Sequence, residues 1–390
     1  MKYQVFDLDF DALPPTLDRK AGYDGACVLL RMGGLPCGQA IVSYADFDAA
    51  KPLDEQLARA ANSSFWERWT ARQIGADPVD PVPSRLPSAT VAVCTRERPE
   101  DLAICLEGLV KLNGAPPIMI VDNAPVTDAT RDLVARYPQI RYVVEPRAGL
   151  NIARNTALAE AGTEVVAFID DDAVPDPDWF ARIIRNFEDP LVLAATGLTM
   201  AVELETDAQI AFQEIGGFVR GFHRVVYDAL KVEPFESWQV GAGVNCAVRT
   251  SAVGMIGGFD PTLGPGTTSR GGDEFDFFRR ILVEGYKIVY DPTSLNWHRH
   301  RRTMDELERQ IYAYECGYFA LLTKAMVFER NPRALMRLGL WFRHQIPSVL
   351  RARRKAPGPG VTFRIPVAQA SGAMAGPGGY LKARKKVRNG

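Results

Sequence analysis

Short apolar segments alternate with amphipathic segments between residues 88 and 170. The apolar runs are rich in β-branched residues (ATVAVC, PIMIVD, IRYVVE and EVVAFI), and the stretches between them have helical spacing (DLAICLEGLVKL, TDATRDLVARY and NIARNTALAEAG). Continuous apolar strands that alternate with helices are typical of a parallel sheet covered on both faces. We therefore predict an α/β domain with a mostly parallel sheet over residues 89–303, with ligands bound beyond the carboxyl ends of its strands.

Residues 1–75 have a different pattern, which predicts a small α+β accessory module. The segment GACVLLRMGGLPCGQAIVSY predicts a β-hairpin. A helix follows in which Leu57, Ala61, Phe65 and Trp69 recur every four residues and form one apolar face. Four prolines then interrupt regular structure in GADPVDPVPSRLPS, which indicates a linker at positions 76–88.

The end of the chain is basic and differs from the rest. From residue 331 onward there are 13 Lys and Arg and no Asp or Glu, so the preceding residues carry 33 basic against 47 acidic side chains. We predict a helical C-terminal region at 304–355 and a flexible basic tail at 356–390. Two interpretations remain open: a basic amphipathic helix with Trp341 and Phe342 at an anionic membrane surface, or a helix packed on the domain with a disordered end.

Composition limits the class of protein. A hydrophobic content of 47% in 390 residues excludes a disordered or fibrous chain, and the net charge of −1 gives no bulk attraction to nucleic acid, which we do not expect as a partner. Six cysteines without a CxxC pair favour a reducing compartment. The N-terminus does not resemble a secretory signal, and the longest uncharged apolar run is too short to span a bilayer. We predict a cytoplasmic protein with peripheral contact at the inner face of the cell membrane.

The sharpest chemical signal is the run Asp170, Asp171 and Asp172 at the end of an apolar strand, in FIDDDAVPDPDWF. Three adjacent carboxylates repel one another unless a positive group compensates them. In an extended chain Asp170 and Asp172 point the same way, so they could share one Mg²⁺ or Mn²⁺ ion while Asp171 faces elsewhere. The alternative is a solvated acidic turn that caps the following helix.

A second acidic cluster, GGDEFDFF, places Asp273 and Glu274 at the start of a helix after a glycine-rich loop. The functional interpretation is a general base that projects into a cleft. The alternative is an acidic helix N-terminus that the helix dipole stabilises. Further on, His298 and His300 lie among arginines in NWHRHRRT, where His298 could complete an Asp/Asp/His metal site; a surface histidine is the alternative.

The order of these motifs resembles the family 2 glycosyltransferases, inverting enzymes of the GT-A fold. The resemblance runs from about residue 88 to residue 300 through VAVCTRERP, IVDNAP, GLNIARNTALAEAG, FIDDDAVPDPDWF, GAGVNCAVRTSAVGMIGGFDPTLGPG with GGDEFDFFRR, and VYDPTSLNWH. The family usually writes the base motif as Glu-Asp, whereas this chain has Asp-Glu. By position the resemblance assigns the base role to Glu274, with Asp273 as the alternative.

The resemblance also implies the other site residues. It implies a DXD element in which Asp170, Asp172 and His298 hold Mn²⁺ or Mg²⁺. It further implies that the nucleotide sugar, UDP- or GDP-linked, contacts a set of polar residues, namely Thr95, Arg98, Asp122, Arg154, Asp170 and Asp171.

The activity so implied is metal-dependent inverting transfer of a sugar from a nucleotide-diphosphate sugar to a hydroxyl of a glycan or lipid-linked acceptor. Polysaccharide biosynthesis of the cell envelope is the setting that this implies. Two alternatives stay open: a nucleotidyltransferase, or a catalytically inactive glycan-binding protein of the same fold. No GxGxxG follows any early strand, which disfavours a dehydrogenase.

Overall fold

The computed structural model describes residues 1–48, 50–76, 83, 85–354 and 364–389, and for residues 344–354 it describes the backbone alone. Within these residues the strands are β1 (Tyr3–Asp9), β2 (Gly25–Met32), β3 (Leu35–Ser43), β4 (Ala89–Thr95), β5 (Ile118–Asn123), β6 (Ile140–Glu145), β7 (Val165–Ile169), β8 (Ala173–Pro175), β9 (Val192–Ala201), β10 (Val225–Tyr227), β11 (Asn245–Arg249) and β12 (Lys287–His298). The α-helices are α1 (Leu53–Ala60), α2 (Ser63–Gln73), α3 (Pro99–Leu109), α4 (Ala129–Val134), α5 (Leu150–Glu160), α6 (Trp179–Ile184), α7 (Asp207–Glu214), α8 (Ala252–Ile256), α9 (Asp273–Val283), α10 (Met304–Thr323), α11 (Pro332–Arg354) and α12 (Arg364–Asn389).

The N-terminal segment folds as a three-stranded sheet packed against two helices. Strands β2 and β3 form the predicted hairpin, and β1 pairs with β2 in parallel. The expected single helix is wrong: α1 and α2 are separated at Ala61, which bridges to Ala40 of β3. Asn62 then caps α2, because its side-chain oxygen accepts a hydrogen bond from the backbone N–H of Phe65 at 3.3 Å.

This N-terminal sheet is packed against the large sheet. Leu29 of β2 is buried with Leu198, Met200 and Leu295, and the guanidinium of Arg31 lies 2.7 Å from a carboxylate oxygen of Asp176. The predicted linker at 76–88 falls mainly on residues 77–82 and 84, which lie outside the described residues.

The large sheet confirms the predicted α/β class. Its nine strands have the order β10-β12-β9-β11-β7-β4-β5-β6, with β8 paired to β12. Six strands run in one direction, and β8, β10 and β11 run against them. One apolar cluster covers each face of the sheet, as expected where strands are apolar on both sides.

The carboxyl ends of β4, β5, β7 and β12 meet at one edge of this sheet. The chain leaves β7 directly into the aspartate run and leaves β12 at His298, while the glycine-rich loop at 257–272 leads into α9 at the same edge. Polar residues that are far apart in the sequence therefore surround one cleft.

The C-terminal region is helical, as predicted up to residue 354, but the expected flexible tail is wrong for residues 364–389. These residues form α12, which packs along α10. A Cβ atom at Gly372 would lie 2.4 Å from the carbonyl oxygen of Tyr312, and one at Gly376 would lie 2.6 Å from that of Cys316. The glycines that indicated flexibility therefore permit close helix packing, which overrides their low helix propensity. Residues 355–363 lie outside the described residues.

None of the helices in the described part of the chain is long and apolar enough to cross a membrane.

Candidate functional site

A cleft of about 630 Å³ lies at the carboxyl edge of the large sheet. Predicted site residues from five places line it: the end of β4 and the loop after it, α5, the loop after β7, the start of α9, and the end of β12. Its lining includes Thr95, Arg98, Arg154, Asp170, Asp171, Asp172, Asp273, Glu274 and His298. Of the predicted set, Asp122 alone does not line the cleft.

Arg98 holds two of the three consecutive aspartates. Its guanidinium donates to Asp171 Oδ1 at 2.6 Å and to Asp172 Oδ2 at 2.9 Å, and the hydroxyl of Thr95 donates to Asp171 Oδ2 at 2.7 Å. Burial raises the pKa of Asp171 to about 7 against the opposing charge of Arg98. Asp171 and Asp172 therefore share the guanidinium of Arg98. The alternation of an extended chain had indicated instead that Asp171 faces away from Asp172.

Asp172 also faces His298. Its Oδ1 lies 3.1 Å from His298 Nε2, and both side chains are almost fully buried. Burial alone would raise the pKa of Asp172, but His298 and Arg98 outweigh it and hold this pKa well below its usual range. On its other side, His298 Nδ1 lies 3.2 Å from Nδ1 of His300, whose pKa burial lowers to about 3.

Arg154 links the two acidic groups across the floor of the cleft. Its Nη1 donates to Asp273 Oδ2 at 2.7 Å, while its Nη2 lies 3.9 Å from Asp170 Oδ1. Gly243 allows this position, since a Cβ atom there would lie 2.7 Å from Arg154 Nη2. Asp273 is therefore already paired, whereas Asp170 reaches into the cleft with 39% of its side chain exposed.

Glu274 lies next to Asp273 but has a different environment. Burial, with the charge of Asp273 as the next contribution, raises the pKa of Glu274 to about 8. Its side chain borders the cleft and also a second cavity of about 570 Å³. Glu274 thus lies between the cleft and the second cavity, and its carboxyl group can take up a proton near neutral pH.

Asp122 is fully buried at the end of β5, behind the cleft wall. Its Oδ2 accepts a hydrogen bond from the hydroxyl of Tyr142 at 2.7 Å, and its Oδ1 has no hydrogen-bond partner in the described structure. Burial raises its pKa. The neighbouring Asn123 lines the cleft instead.

The donor set of Asp172 and His298 fits a divalent cation. Oδ1 and Nε2 face each other at 3.1 Å, so a proton or a cation must lie between them. Two ligands of an octahedral ion at about 2.1 Å lie about 3 Å apart, which matches this separation. Among the described residues no three His, Cys, Asp or Glu side chains cluster as metal ligands, so Asp170 is not gathered with this pair. A site with two protein ligands suits Mg²⁺ or Mn²⁺, because these ions keep positions for water and phosphate oxygens.

The sequence analysis did not single out several residues that line the cleft. Arg270 lies in the glycine-rich loop with φ 64°, and Arg309 and Gln310 come from α10. Phe218 packs edge-on against His298, with ring centroids 5.2 Å apart. Loops and a distant helix bring these residues to the cleft, so no local motif could have indicated them. Arg301 also lines the cleft, whereas Arg299 lies 3.7 Å from Asp101, outside it.

The fold and the cleft define an α/β protein with an acidic ligand-binding site at the carboxyl edge of its sheet. Residues 90–255 match the model of glycosyl transferase family 2, so this part of the chain is similar to the members of that family.

Individual relatives are distant. The chain is 27% identical over 204 residues to a pre-mycofactocin glycosyltransferase of Mycobacterium tuberculosis, a match that covers 50% of this chain and 39% of the relative. It is 26% identical over 213 residues to the succinoglycan biosynthesis protein ExoM of Rhizobium meliloti, covering 52% and 64% of the two chains. The chain thus spans less than two thirds of the length of either relative.

Among solved structures, the chain is similar to the mannosyltransferase PcManGT from Pyrobaculum calidifontis, a structure determined in complex with GDP-Man and Mn²⁺. The TM-score is 0.48 and the identity is 20%, over 82% of this chain and 80% of that one.

Proposed function

We propose that this protein transfers a sugar from a nucleotide-diphosphate sugar to a hydroxyl group of an acceptor, with inversion at the anomeric carbon. The observation that carries the proposal is the place of Glu274. This carboxyl group lies at the boundary between the cleft that contains the Asp172–His298 pair and a second cavity on its other side. A base in that position can reach the hydroxyl of an acceptor in the second cavity while the donor is bound in the cleft.

The donor occupies the cleft in this proposal. Arg301, Arg309 and Arg270 border it and supply positive charge for a diphosphate, while Thr95 and Arg98 hold the aspartate pair at its end. Asp170 and Asp171 border the nucleotide-sugar position, and Arg154 neutralises the floor. Asp122 Oδ1 is buried and has no hydrogen-bond partner in the described structure, so it is available to accept a hydrogen bond from a nucleobase N–H. The nucleobase would reach it after a displacement of the cleft wall beside Asn123. Whether the nucleotide is UDP or GDP is a question for the donor panel below.

Asp172 and His298 would hold a Mn²⁺ or Mg²⁺ ion. Asp170, whose side chain reaches the cleft but is not gathered with this pair, is proposed as a third ligand. When bound, such an ion supplies Lewis-acid stabilisation of the negative charge on the leaving diphosphate. His298 and Arg98 lower the pKa of Asp172, and Arg98 and Arg301 lie 2.9 Å and 3.7 Å from its Oδ2.

Glu274 acts as the general base. As the acceptor oxygen bonds to the anomeric carbon, the bond from that carbon to the diphosphate oxygen breaks, and the acceptor proton passes to the carboxylate of Glu274. The nucleoside diphosphate leaves on the opposite face, so the configuration inverts. A pKa of about 8 makes this carboxylate a stronger base than an ordinary glutamate, and Arg154 holds Asp273 beside it.

The acceptor is a glycan or a lipid-linked glycan, and the setting is biosynthesis of cell-envelope polysaccharide. The name of one relative supports this part of the proposal, since it refers to the biosynthesis of succinoglycan.

Peripheral contact with the inner face of the cell membrane is also part of the proposal. Lys382, Lys385 and Lys386 are exposed near the end of α12, together with Leu381, which is half exposed. Exposed basic residues beside apolar ones favour an anionic lipid surface. A cytoplasmic location agrees with the six free cysteines.

The test is turnover of a panel of UDP- and GDP-linked sugars by the full chain with Mn²⁺, with separate detection of nucleoside diphosphate and pyrophosphate. We expect slow release of nucleoside diphosphate from one donor, accelerated by an acceptor. Pyrophosphate release would indicate a nucleotidyltransferase instead. Binding of a donor without any release would indicate a glycan-binding protein that has lost activity.

A further inference from the structure

The second cavity, of about 570 Å³, adjoins the cleft. Both are bordered by the same five residues, Phe218, Ala242, Glu274, Phe275 and Tyr314. A molecule in the second cavity therefore reaches Glu274 from the side opposite the Asp172–His298 pair. Its volume is in the range of pockets that enclose small organic ligands.

Aromatic and aliphatic side chains form most of its outer wall. Trp238, Tyr318, Leu340 and Trp341 line it, and Trp341 comes from α11, which closes the cavity from outside. Trp341 is held in place because its ring packs edge-on against Phe319 at 4.8 Å and its indole N–H donates to Glu315 Oε2 at 3.1 Å. The wall is therefore fixed before any ligand binds.

The two arginines that line the second cavity in the described structure are hydrogen-bonded to oxygen atoms of the protein. Arg337 is paired with Glu233 and Glu236. Arg220 donates to the backbone carbonyls of Gly217 and Trp238, both at 3.0 Å, and burial lowers its pKa. The hydrogen bonds of both guanidinium groups are directed to the protein, in contrast to those of the cleft, whose Arg270 and Arg309 are exposed.

Glu315 adds to the low polarity of the space. Burial raises the pKa of Glu315 to about 7 despite its hydrogen bond from Trp341. An additional charged group would lose part of its hydration on entering, which disfavours a charged ligand.

We propose that the second cavity binds an uncharged apolar group, an alkyl or aryl aglycone, attached to the acceptor close to the hydroxyl that reacts at Glu274. The inference rests on the proposed transfer reaction for the role of Glu274. It adds the chemical class of the acceptor: an amphipathic glycoside whose apolar part is bound by Trp341, Leu340 and Trp238, with any phosphate of the acceptor outside this cavity.

The experiment is calorimetric titration of the full chain with methyl, hexyl and octyl β-glucoside below their micelle concentrations. We expect no measurable binding of the methyl glucoside and about fifteenfold tighter binding of octyl than of hexyl glucoside, because each of the two additional methylenes contributes about 0.8 kcal/mol, or roughly fourfold. Equal affinities for the hexyl and octyl compounds would overturn the proposal.

Two variants on α11 locate the site. Leu340→Asp places a charge at the cavity wall on a residue that is 36% exposed, so folding should be preserved, and it should weaken octyl glucoside binding at least tenfold. Leu335→Asp, on the same helix but 64% exposed and outside the cavity, is the matched control and should bind like the original chain. If both variants lose affinity for octyl glucoside equally, the ligand adsorbs to the helix surface and the proposal is overturned. Unchanged affinity in both variants would also overturn it.

A nucleoside diphosphate titration of the same proteins separates this inference from the proposed function. If UDP or GDP binds but the affinity for the alkyl glucosides does not change with chain length, the aglycone proposal fails while the transfer proposal stands. If the alkyl series rises but no donor is bound or turned over, the transfer proposal fails while the apolar cavity is retained.

Discussion

Glu274 and Asp273 are adjacent in sequence, but their surroundings differ. Asp273 is held by the buried guanidinium of Arg154 at 2.7 Å, whereas Glu274 borders both cavities and has a pKa raised to about 8. The sequence alone left the choice open, because the order of the two acids differs from that usual in the family. The distinction depends on Arg154, which lies far from both along the chain.

Replacing Glu274 by Gln should leave donor binding intact and reduce transfer by about 10² or more, since general base catalysis is lost while shape is kept. Steady-state turnover and calorimetry on the same protein measure the two effects. Asp273→Asn is the comparison: if it eliminates transfer while Glu274→Gln stays active, the base is Asp273.

The raised pKa of Glu274 also predicts a pH dependence of stability. Because the folded chain binds this proton more tightly than the unfolded chain, Glu274 stabilises the fold below pH 4.5 and this contribution is lost as pH rises toward 8. Glu274→Gln should therefore be more stable than the original chain by a few kcal/mol at pH 9, since one pKa unit corresponds to about 1.4 kcal/mol. Urea unfolding at pH 5 and pH 9 tests this, and an equal difference at both values would contradict it.

At the scale of elements, the sequence predicts best where apolar burial alone decides. Strands β4 to β7 are continuous apolar runs, and they form close to the expected limits. The break between α1 and α2 was missed because the four-residue apolar period continues across Asn62, whose capping hydrogen bond depends on the local backbone turn. Helix α12 was missed because its glycines face another helix, which is a tertiary effect.

The packing of α12 bears on the site, because this helix supports the loop before α9. The hydroxyl of Thr268 in that loop donates to the carbonyl oxygen of Gly379 at 2.6 Å, and Tyr380 is buried with Leu263 and Ala320. The end of the chain therefore helps to fix the segment that precedes Asp273.

Gly376→Ala should separate α12 from α10, because its Cβ atom would lie 2.6 Å from the carbonyl oxygen of Cys316. We expect a loss of about 1 to 3 kcal/mol in the free energy of unfolding and lower transfer activity. Gly378→Ala on the same helix meets nothing within 4 Å and should be neutral or slightly stabilising. Equal stability of the two variants in urea unfolding would refute the close packing.

At the scale of the whole molecule, charge is distributed unevenly. The last sixty residues hold 13 basic and no acidic side chains, while the remainder is acidic. The sequence predicted this asymmetry but not its structural context: the basic residues at 382–388 are carried by a helix packed on the domain rather than by a flexible tail. Deleting the C-terminal region would therefore disturb the domain as well as remove charge.

Charge substitution avoids that problem. Replacing Lys382, Lys385 and Lys386 by Gln should weaken binding to phosphatidylserine vesicles by roughly a hundredfold at low salt, because each basic residue contributes about 1 kcal/mol at an anionic surface. Binding of the original chain should fall as salt rises. Replacing three exposed lysines elsewhere, Lys20, Lys111 and Lys231, is the control. Similar losses in both triple variants would argue against a specific membrane-facing end.

In the proposed reaction, Asp172 and His298 form the centre of a site for a divalent ion and a nucleoside diphosphate. The most direct measurement is calorimetric titration of UDP and GDP into the full chain with and without Mn²⁺, repeated with Asp172→Asn, which keeps the shape of the side chain and removes its charge. We expect binding of one nucleotide that requires Mn²⁺ and is lost in the variant. Nucleotide affinity that is the same without Mn²⁺, or the same in Asp172→Asn, would contradict it.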